Sequence, residues 1–151
     1  MTKYQKYSLF VLRIVIGWMF FYAGITKVLN PEWSSAGFLK GAKTFGAFYQ
    51  MMLHPNILPF VDFMNEWGLL LIGISLLIGG FVRYSSYGGM LLMALYYFPR
   101  LQFPYPNDNA MLVDEHVIYI AVLAVLIAWD AGRVWGFDGW LEKRKEMTKK
   151  S

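Results

Sequence analysis

Charged and titratable side chains interrupt the long apolar stretches of this sequence, and their chemistry is the first clue to a function. A charged group at mid-bilayer costs about 2.5–3.5 kcal/mol on insertion scales, so those that persist usually face a bundle interior or water. Four such residues lie toward the same predicted end of three different apolar stretches: Lys27, Glu66, Glu115 and His116. We expect them to converge into a polar cluster that can bind a small ligand.

A second group of charges is suggested by spacing. Fourteen residues separate Arg13 from Lys27, and fourteen also separate His116 from Asp130. Fourteen residues are four helical turns to within about 40°, so each pair shares one face of its helix. Since these two helices are predicted to run in opposite directions, Arg13 and Asp130 match in depth. The sequence therefore predicts an Arg13–Asp130 ion pair between the first and last spans.

Glycines accompany these charges. Gly17 and Gly24 fall on the Arg13 face of the first helix, where small residues let a neighbouring helix approach closely. Gly79-Gly80 and Gly88-Gly89 are explained in the same way, by close packing around a tight helical hairpin.

A plainer interpretation of the charges stands beside this one. Lys27, Arg83 and Glu115 lie close to predicted helix ends, from which long side chains can extend to lipid headgroups. The deeper Arg13, Asp130 and Glu66 could serve only to hold the bundle together. No metal site is predicted, because only two histidines are present and the other, His54, lies far from His116 along the chain.

The composition is that of an integral membrane protein. Of 151 residues, 57% are hydrophobic and 16% are charged, whereas soluble domains carry about 25% charged residues. The fold class predicted is all-α, as one membrane domain with a four-helix bundle. Its helices are expected at about 7–29, 59–82, 84–98 and 113–135. The first stretch lacks a small-residue cleavage site and is expected to remain in the mature protein.

The segments outside these spans carry two further predictions. Apolar residues recur at helical spacing over 36–52, which predicts an interfacial amphipathic helix between the first two spans. The tail 136–151 is basic, since six of the fourteen Lys and Arg residues lie between Arg133 and the end. Such a tail suits anionic lipid better than nucleic acid, which we do not expect as a partner.

Orientation follows from the distribution of positive charge. With the N-terminus inside, nine Lys and Arg residues lie on the cytoplasmic side and four on the other, and Arg13, within the first span, is left out of the count. We therefore expect a multi-pass protein of the cell membrane with both termini in the cytoplasm.

Several chemistries are disfavoured. The chain has no cysteine, which excludes disulfides, thiol nucleophiles and thiolate metal sites. It also lacks the phosphate-binding glycine loop and the short motifs typical of metalloproteases and serine hydrolases. An ordinary hydrolase is therefore not expected.

Several short motifs, taken in order, resemble the DoxX/DoxD family. They are Arg13-Ile-Val-Ile-Gly17, Phe20-Phe-Tyr-Ala-Gly24-Ile-Thr-Lys27, Glu66-Trp-Gly68 with Gly73, Gly79 and Arg83, and Gly132-Arg-Val-Trp-Gly136-Phe-Asp138. The resemblance implies a four-helix membrane protein similar to the MauE group and often associated with redox complexes. DoxD-type members are the small subunit of a thiosulfate:quinone oxidoreductase. By this resemblance the positions that carry over are Arg13, Lys27, Glu66, Arg83 and Asp138.

The resemblance leaves more than one function open. A quinone would need an apolar slot with one or two hydrogen-bond donors, which Lys27, His116 or Tyr97 could supply, whereas a sulfur oxyanion would need the cationic cluster. The chain could instead be a non-catalytic membrane partner or assembly factor, or, with less support, a small-solute transporter. Its partners would be the lipid bilayer and either redox-complex subunits or further copies of itself. Catalytic residues are not assigned.

Overall fold

The computed structural model describes residues 1–150, with the side chains of residues 1–148. Within that range it contains seven α-helices, one short 3-10 turn and no strand, so the all-α prediction is confirmed. In chain order the helices are α1 (Lys3–Val28), α2 (Ala36–Lys40), α3 (Gly46–Met52), α4 (Leu58–Ile78), α5 (Val82–Arg100), α6 (Glu115–Ala128) and α7 (Phe137–Lys150), with the 3-10 turn at Ala131–Arg133 between α6 and α7.

The longest helices, α1 and α4, pack face to face along their glycines. A Cβ added at Gly17 would lie 3.0 Å from the Leu76 Cβ, and one added at Gly24 would lie 2.6 Å from the Leu70 Cα. From the opposite side, a Cβ on Gly73 would lie 2.7 Å from the Phe21 Cβ. The predicted close approach at the α1 glycines is confirmed, and the neighbouring helix is α4.

The helical hairpin predicted around Gly79-Gly80 is confirmed, with three residues between α4 and α5. Gly79 ends α4 in the left-handed conformation, at φ 73°, which glycine adopts without steric cost. The Ser75 hydroxyl donates to the Gly80 carbonyl and secures the turn. α5 then packs against α6, and the core between the helices contains Phe20, Leu76, Leu123 and Leu126, all fully buried.

The predicted interfacial helix over 36–52 is two short helices instead of one. α2 and α3 are separated by residues 41–45, and Phe45 takes a left-handed conformation at φ 55°. The Tyr49 hydroxyl donates to the Leu95 carbonyl at 3.1 Å, and burial raises the pKa of that hydroxyl. With Leu39 also buried, this segment packs against the bundle through part of its surface.

The end of the fourth predicted span also differs from the prediction of 113–135. α6 stops at Ala128, and Asp130 and Trp135 both take left-handed conformations, at φ 47° and 49°. The chain therefore turns sharply after α6 and re-enters a helix. Most of the predicted tail is α7.

Two helices, α1 and α4, are long and apolar enough to cross a membrane. The 14-residue α6 is also apolar but would extend about 21 Å at 1.5 Å per residue, against about 30 Å of hydrocarbon. α5 does not meet the same criterion, so length and composition support two of the four predicted spans.

Candidate functional site

A pocket of about 270 Å³ opens where α1 ends and α6 begins. We call it the Lys27 pocket, and its lining consists of three aromatic and six polar or charged residues: Trp33, Phe38, Tyr96, Lys27, Ser34, Ser35, Asn65, Arg100 and His116. They come from α1, α2, α4, α5, α6 and the loop after α1. The pocket therefore depends on the packing of the whole bundle.

Two cations of the pocket are held against aromatic rings. The Lys27 ammonium lies 5.3 Å from the Trp33 ring centroid and donates to the Ala23 carbonyl at 3.1 Å. The Arg100 guanidinium lies 5.7 Å from the Phe38 ring centroid. Cation–π contacts of this kind fix the position of a cation without neutralising it.

Carboxylates near the pocket offset these charges. Glu115 lies 3.8 Å from Arg100, with both side chains about half exposed. Glu66 is close enough to Lys27 for its charge to act on the ammonium. The pocket is thus polar but does not carry a large excess of positive charge.

His116 is oriented by a buried carboxylate. Its Nδ1 lies 2.7 Å from Asp114 Oδ2, while Asp114 Oδ1 accepts from the backbone N–H groups of His116 and Val117. Asp114 is thus the N-cap of α6, which accounts for its burial. With Nδ1 occupied, Nε2 is the ring nitrogen left for a ligand.

The same corner has the spacing of a metal site. Ligand atoms of Asp114, Glu115 and His116 lie within 4.8 Å of one another. Because the Asp114 carboxylate already accepts hydrogen bonds from the first turn of α6, its position is explained by helix capping.

Another wall of the pocket is formed by the amide of Asn65 and the phenol of Tyr96. The Tyr96 hydroxyl donates to Asn65 Oδ1, and Asn65 is buried. The Tyr96 ring lies 6.0 Å from the His116 ring and 5.7 Å from the Phe38 ring, measured between centroids. Planar aromatic groups therefore line much of the pocket.

Asp62 ties the loop after α1 to α4. One of its oxygens accepts from the Ser35 amide at 2.8 Å and the Ser35 hydroxyl at 2.5 Å, and the other accepts from Ser34 Oγ at 2.8 Å. These bonds place Ser34 and Ser35 at the rim and fix Trp33, the preceding residue, beside Lys27.

A second polar cluster surrounds Arg13, toward the opposite end of α1. We call it the Arg13 junction and define it as Arg13, Gly79, residues 131–136 and Asp138. Arg13 is 1% exposed, and one of its terminal nitrogens donates to the carbonyls of Ala131 and Val134 at 2.6 and 2.9 Å. Its other terminal nitrogen lies 3.3 Å from the Trp135 carbonyl. The guanidinium thus binds the backbone that follows α6.

The predicted Arg13–Asp130 ion pair is wrong. The Asp130 carboxylate is about half exposed and lies 3.8 Å from Arg133 instead. The physical reason is the end of α6 at Ala128: in its left-handed conformation Asp130 leaves the helical face on which the prediction placed it. Arg13 does meet this segment, but through carbonyl groups.

Asp138 provides the carboxylate of the junction. Its two oxygens accept from the backbone N–H groups of Phe81 and Val82 at 2.8 and 3.2 Å, which caps the start of α5. Its own N–H donates to the Gly79 carbonyl at 3.0 Å. Asp138 is also the carboxylate whose charge acts on Arg13.

Comparison with known proteins identifies the family. The family model described as DoxX matches residues 8–99, more than half of the chain. This chain belongs to the DoxX family. No curated protein matches it, and no solved structure matches it. As a DoxX protein it is a membrane protein, in keeping with its two spanning-length helices.

The resemblance to DoxX seen in the sequence motifs is thus confirmed. Of the positions it implied, Lys27 lines the pocket and Glu66 is near it, whereas Arg13 and Asp138 both belong to the junction. Arg83 lines an exposed cleft of about 420 Å³ whose wall includes Arg133 and Asp138 of the junction.

Of the five binding candidates in this DoxX protein, Lys27 and His116 line the pocket. Glu66 and Glu115 lie near its cations, as described above. Tyr97 does not belong to it, because its hydroxyl donates to the Leu112 carbonyl at 2.6 Å.

Sequence reasoning missed most of the remaining lining residues. Tyr96 had a usable signal, because it lies three residues after Met93 and seven after Gly89, on the buried face of α5. Trp33 and Arg100 had none, since one lies in a loop and the other at a helix end.

Proposed function

We propose that this DoxX protein is a membrane subunit of a quinone-linked redox complex and that the Lys27 pocket holds the quinone head group. The observation that carries the proposal is the combination of aromatic walls with fixed hydrogen-bonding groups in one pocket. Ligand pockets are typically lined by apolar and aromatic side chains, with a few polar groups that fix orientation. Membership of a membrane-protein family supports a lipid-soluble ligand.

Lys27 and His116 offer hydrogen-bonding groups to the oxygens of a quinone head group. The Lys27 ammonium has three N–H groups, of which the Ala23 carbonyl accepts one, and another can donate to a quinone carbonyl. His116 donates from Nδ1 to the Asp114 carboxylate, so Nε2 of the neutral ring accepts from a quinol hydroxyl, and Nε2 of an imidazolium donates to a quinone carbonyl. The Tyr96 hydroxyl already donates to Asn65, so Tyr96 serves mainly as an aromatic wall.

Charge balance favours a neutral planar ligand over a sulfur oxyanion. Glu115 lies 3.8 Å from Arg100, so one of the two cations of the pocket is partly compensated. A site for a small anion would gain most from uncompensated positive charge.

Quinone binding is expected to depend on His116 and not on His54. We expect His116→Leu to weaken binding about tenfold, which is the loss of one hydrogen bond worth about 1.4 kcal/mol. His54→Leu, the matched control, lies outside the pocket and should bind like the wild type. The measurement is equilibrium binding of a short-chain quinone to the purified protein in nanodiscs.

Two results would count against this proposal. One is equal affinity of the two histidine variants, and the other is no quinone binding by the wild type. If thiosulfate or sulfate binds in place of quinone and depends on His116, the pocket is an anion site.

In the membrane, we propose a four-helix arrangement with both termini on the cytoplasmic side. The Lys27 pocket and the Arg13 junction lie at opposite ends of α1, so this orientation places the pocket at the outer face and the junction at the cytoplasmic face. It is supported by the nine-to-four distribution of Lys and Arg.

Single cysteines test this orientation cleanly, because the chain has none of its own. An impermeant maleimide applied to intact cells should label Asn109→Cys, in the exposed loop after α5, and leave Thr148→Cys unlabelled until the membrane is opened. Labelling of Thr148→Cys in intact cells would overturn the orientation.

A non-catalytic role beside a partner protein is the alternative, and one observation favours it. α6 is shorter than the hydrocarbon core, so a bundle that contains it would be thin at that helix and would gain from a neighbour. Recovery of a reproducible partner together with absence of quinone binding would select this alternative.

A further inference from the structure

We propose that α7 is a membrane-surface helix that binds the anionic phospholipid of the leaflet next to the Arg13 junction. The inference does not depend on the function of the Lys27 pocket. It rests on the face that α7 leaves uncovered and on the charges that remain free on it.

The uncovered face is aromatic and apolar. At 100° per residue, Phe137, Trp140 and Met147 lie on one stripe of α7, and they are 41%, 52% and 66% exposed. The Phe137 and Trp140 rings stack on each other with centroids 5.4 Å apart. Trp135, just before the helix, is also 54% exposed. Such a stripe would be unfavourable in water.

Cations border this stripe. Lys143 and Lys145 lie on its two sides, and Arg144 lies within it, with its guanidinium 5.5 Å from the Trp140 ring centroid. Glu146 lies on the far side of the helix. An aromatic face flanked by Lys and Arg is the pattern of helices that lie in the plane of a bilayer interface.

The other two carboxylates of α7 have partners elsewhere in the protein. Asp138 accepts from the backbone at the start of α5, and Glu142 lies 3.1 Å from the Arg133 guanidinium. They therefore leave Lys143, Arg144 and Lys145, which are the exposed cations among the α7 side chains that the structure describes. The surface left for a partner combines aromatic rings with these positive charges, which complements anionic headgroups above acyl chains.

Contacts at the start of α7 fix where this surface lies. Asp138 and Gly136 anchor the helix to the hairpin between α4 and α5, at the end of the bundle where α1 begins. Trp135 packs against Tyr7 of α1, with ring centroids 4.8 Å apart. The aromatic stripe thus continues onto α1 at what we propose is the membrane boundary.

The test uses the full chain in nanodiscs, with an environment-sensitive fluorophore on Met147→Cys. In discs of phosphatidylglycerol mixed with phosphatidylcholine, the emission should shift to the blue and resist an aqueous quencher, compared with discs of phosphatidylcholine alone. Each Lys or Arg near an anionic surface contributes about fivefold to binding. Lys143→Gln with Lys145→Gln should therefore weaken the anionic-lipid effect about 25-fold, as judged by the fraction of label protected.

The matched control is Lys40→Gln with Lys43→Gln, which removes the same charge from the α2–α3 segment and should leave the effect unchanged. High salt should reverse the shift in wild-type protein, since it screens surface charge to within about 3 Å at 1 M. The proposal is overturned if the label responds equally in both kinds of disc, if salt has no effect, or if the two double variants behave alike.

Discussion

Arg13→Leu is expected to lower the free energy of unfolding by about 3 kcal/mol, because it removes the donor to the Val134 carbonyl and one of the two donors to the Ala131 carbonyl in the buried segment after α6. The guanidinium is 1% exposed, and it binds the carbonyls of Ala131 and Val134. Leucine fills part of the space but donates nothing. Arg13→Lys should recover only part of the loss, since an ammonium lacks the planar fork of a guanidinium. Unfolding of the purified protein in micelles measures the difference.

Asp130→Asn is the informative comparison. Its carboxylate is half exposed and pairs only with Arg133, so we expect an effect of about 0–1 kcal/mol. Asp138→Asn should cost more, because this carboxylate caps α5 and acts on the buried Arg13. In double-mutant cycles Arg13 should couple to Asp138 and not to Asp130. A coupling energy between Arg13 and Asp130 would indicate that these two residues form an ion pair, contrary to the structure.

Gly73→Ala and Gly24→Ala are each expected to lower the free energy of unfolding by about 2–3 kcal/mol, because they overpack the contact between α1 and α4. This is the upper part of the range typical of overpacked sites. The added Cβ at Gly24 would lie 2.6 Å from the Leu70 Cα, and backbone cannot move aside as a flexible side chain can. The two helices would have to separate along this face. The same unfolding measurement, together with the yield of monodisperse protein, reports the effect.

Gly68→Ala, in the same helix α4, is the matched control. Its added Cβ would lie 3.5 Å from the Leu92 Cδ1, which is an ordinary contact. Alanine is the better helix former by about 1 kcal/mol, so this variant should be neutral or more stable. Equal losses at Gly68 and Gly73 would mean that the helix approach at Gly73 is not the cause.

Much of the bundle could be predicted because its causes are local in sequence. Glycines spaced at helical period indicate a face of close approach, and Gly17 and Gly24 lie on such a face. The pair Gly79-Gly80 indicates a turn, and the chain does turn there. The convergence of Lys27 and His116 followed from counting residues along two long helices, a calculation that holds while the helices are regular.

The failures occur where the chain leaves regular geometry. Phe45 and Trp135 take left-handed conformations that are uncommon for aromatic residues, and Asp130 takes one that Asp adopts more often than most residues but that its sequence neighbours do not indicate. Tertiary contacts hold them there, so the break between α2 and α3 and the early end of α6 were not visible in sequence. Because α6 ends at Ala128, Asp130 does not lie on the helical face that would have placed it beside Arg13. The sequence suggested Tyr97 as a ligand-binding residue, whereas Tyr96 lines the pocket. Neighbouring residues on a helix point in directions about 100° apart, so the two tyrosines face different surroundings.

Photoaffinity labelling tests the assignment of the Lys27 pocket most directly. An azido-quinone illuminated with the protein in nanodiscs should attach to residues 33–38, 96–100 or 114–116, and excess unlabelled quinone should suppress the attachment. Labelling scattered over the lipid-facing surfaces of α1 and α4 without suppression, or confined to the cleft beside Arg83, would contradict a quinone site in this pocket.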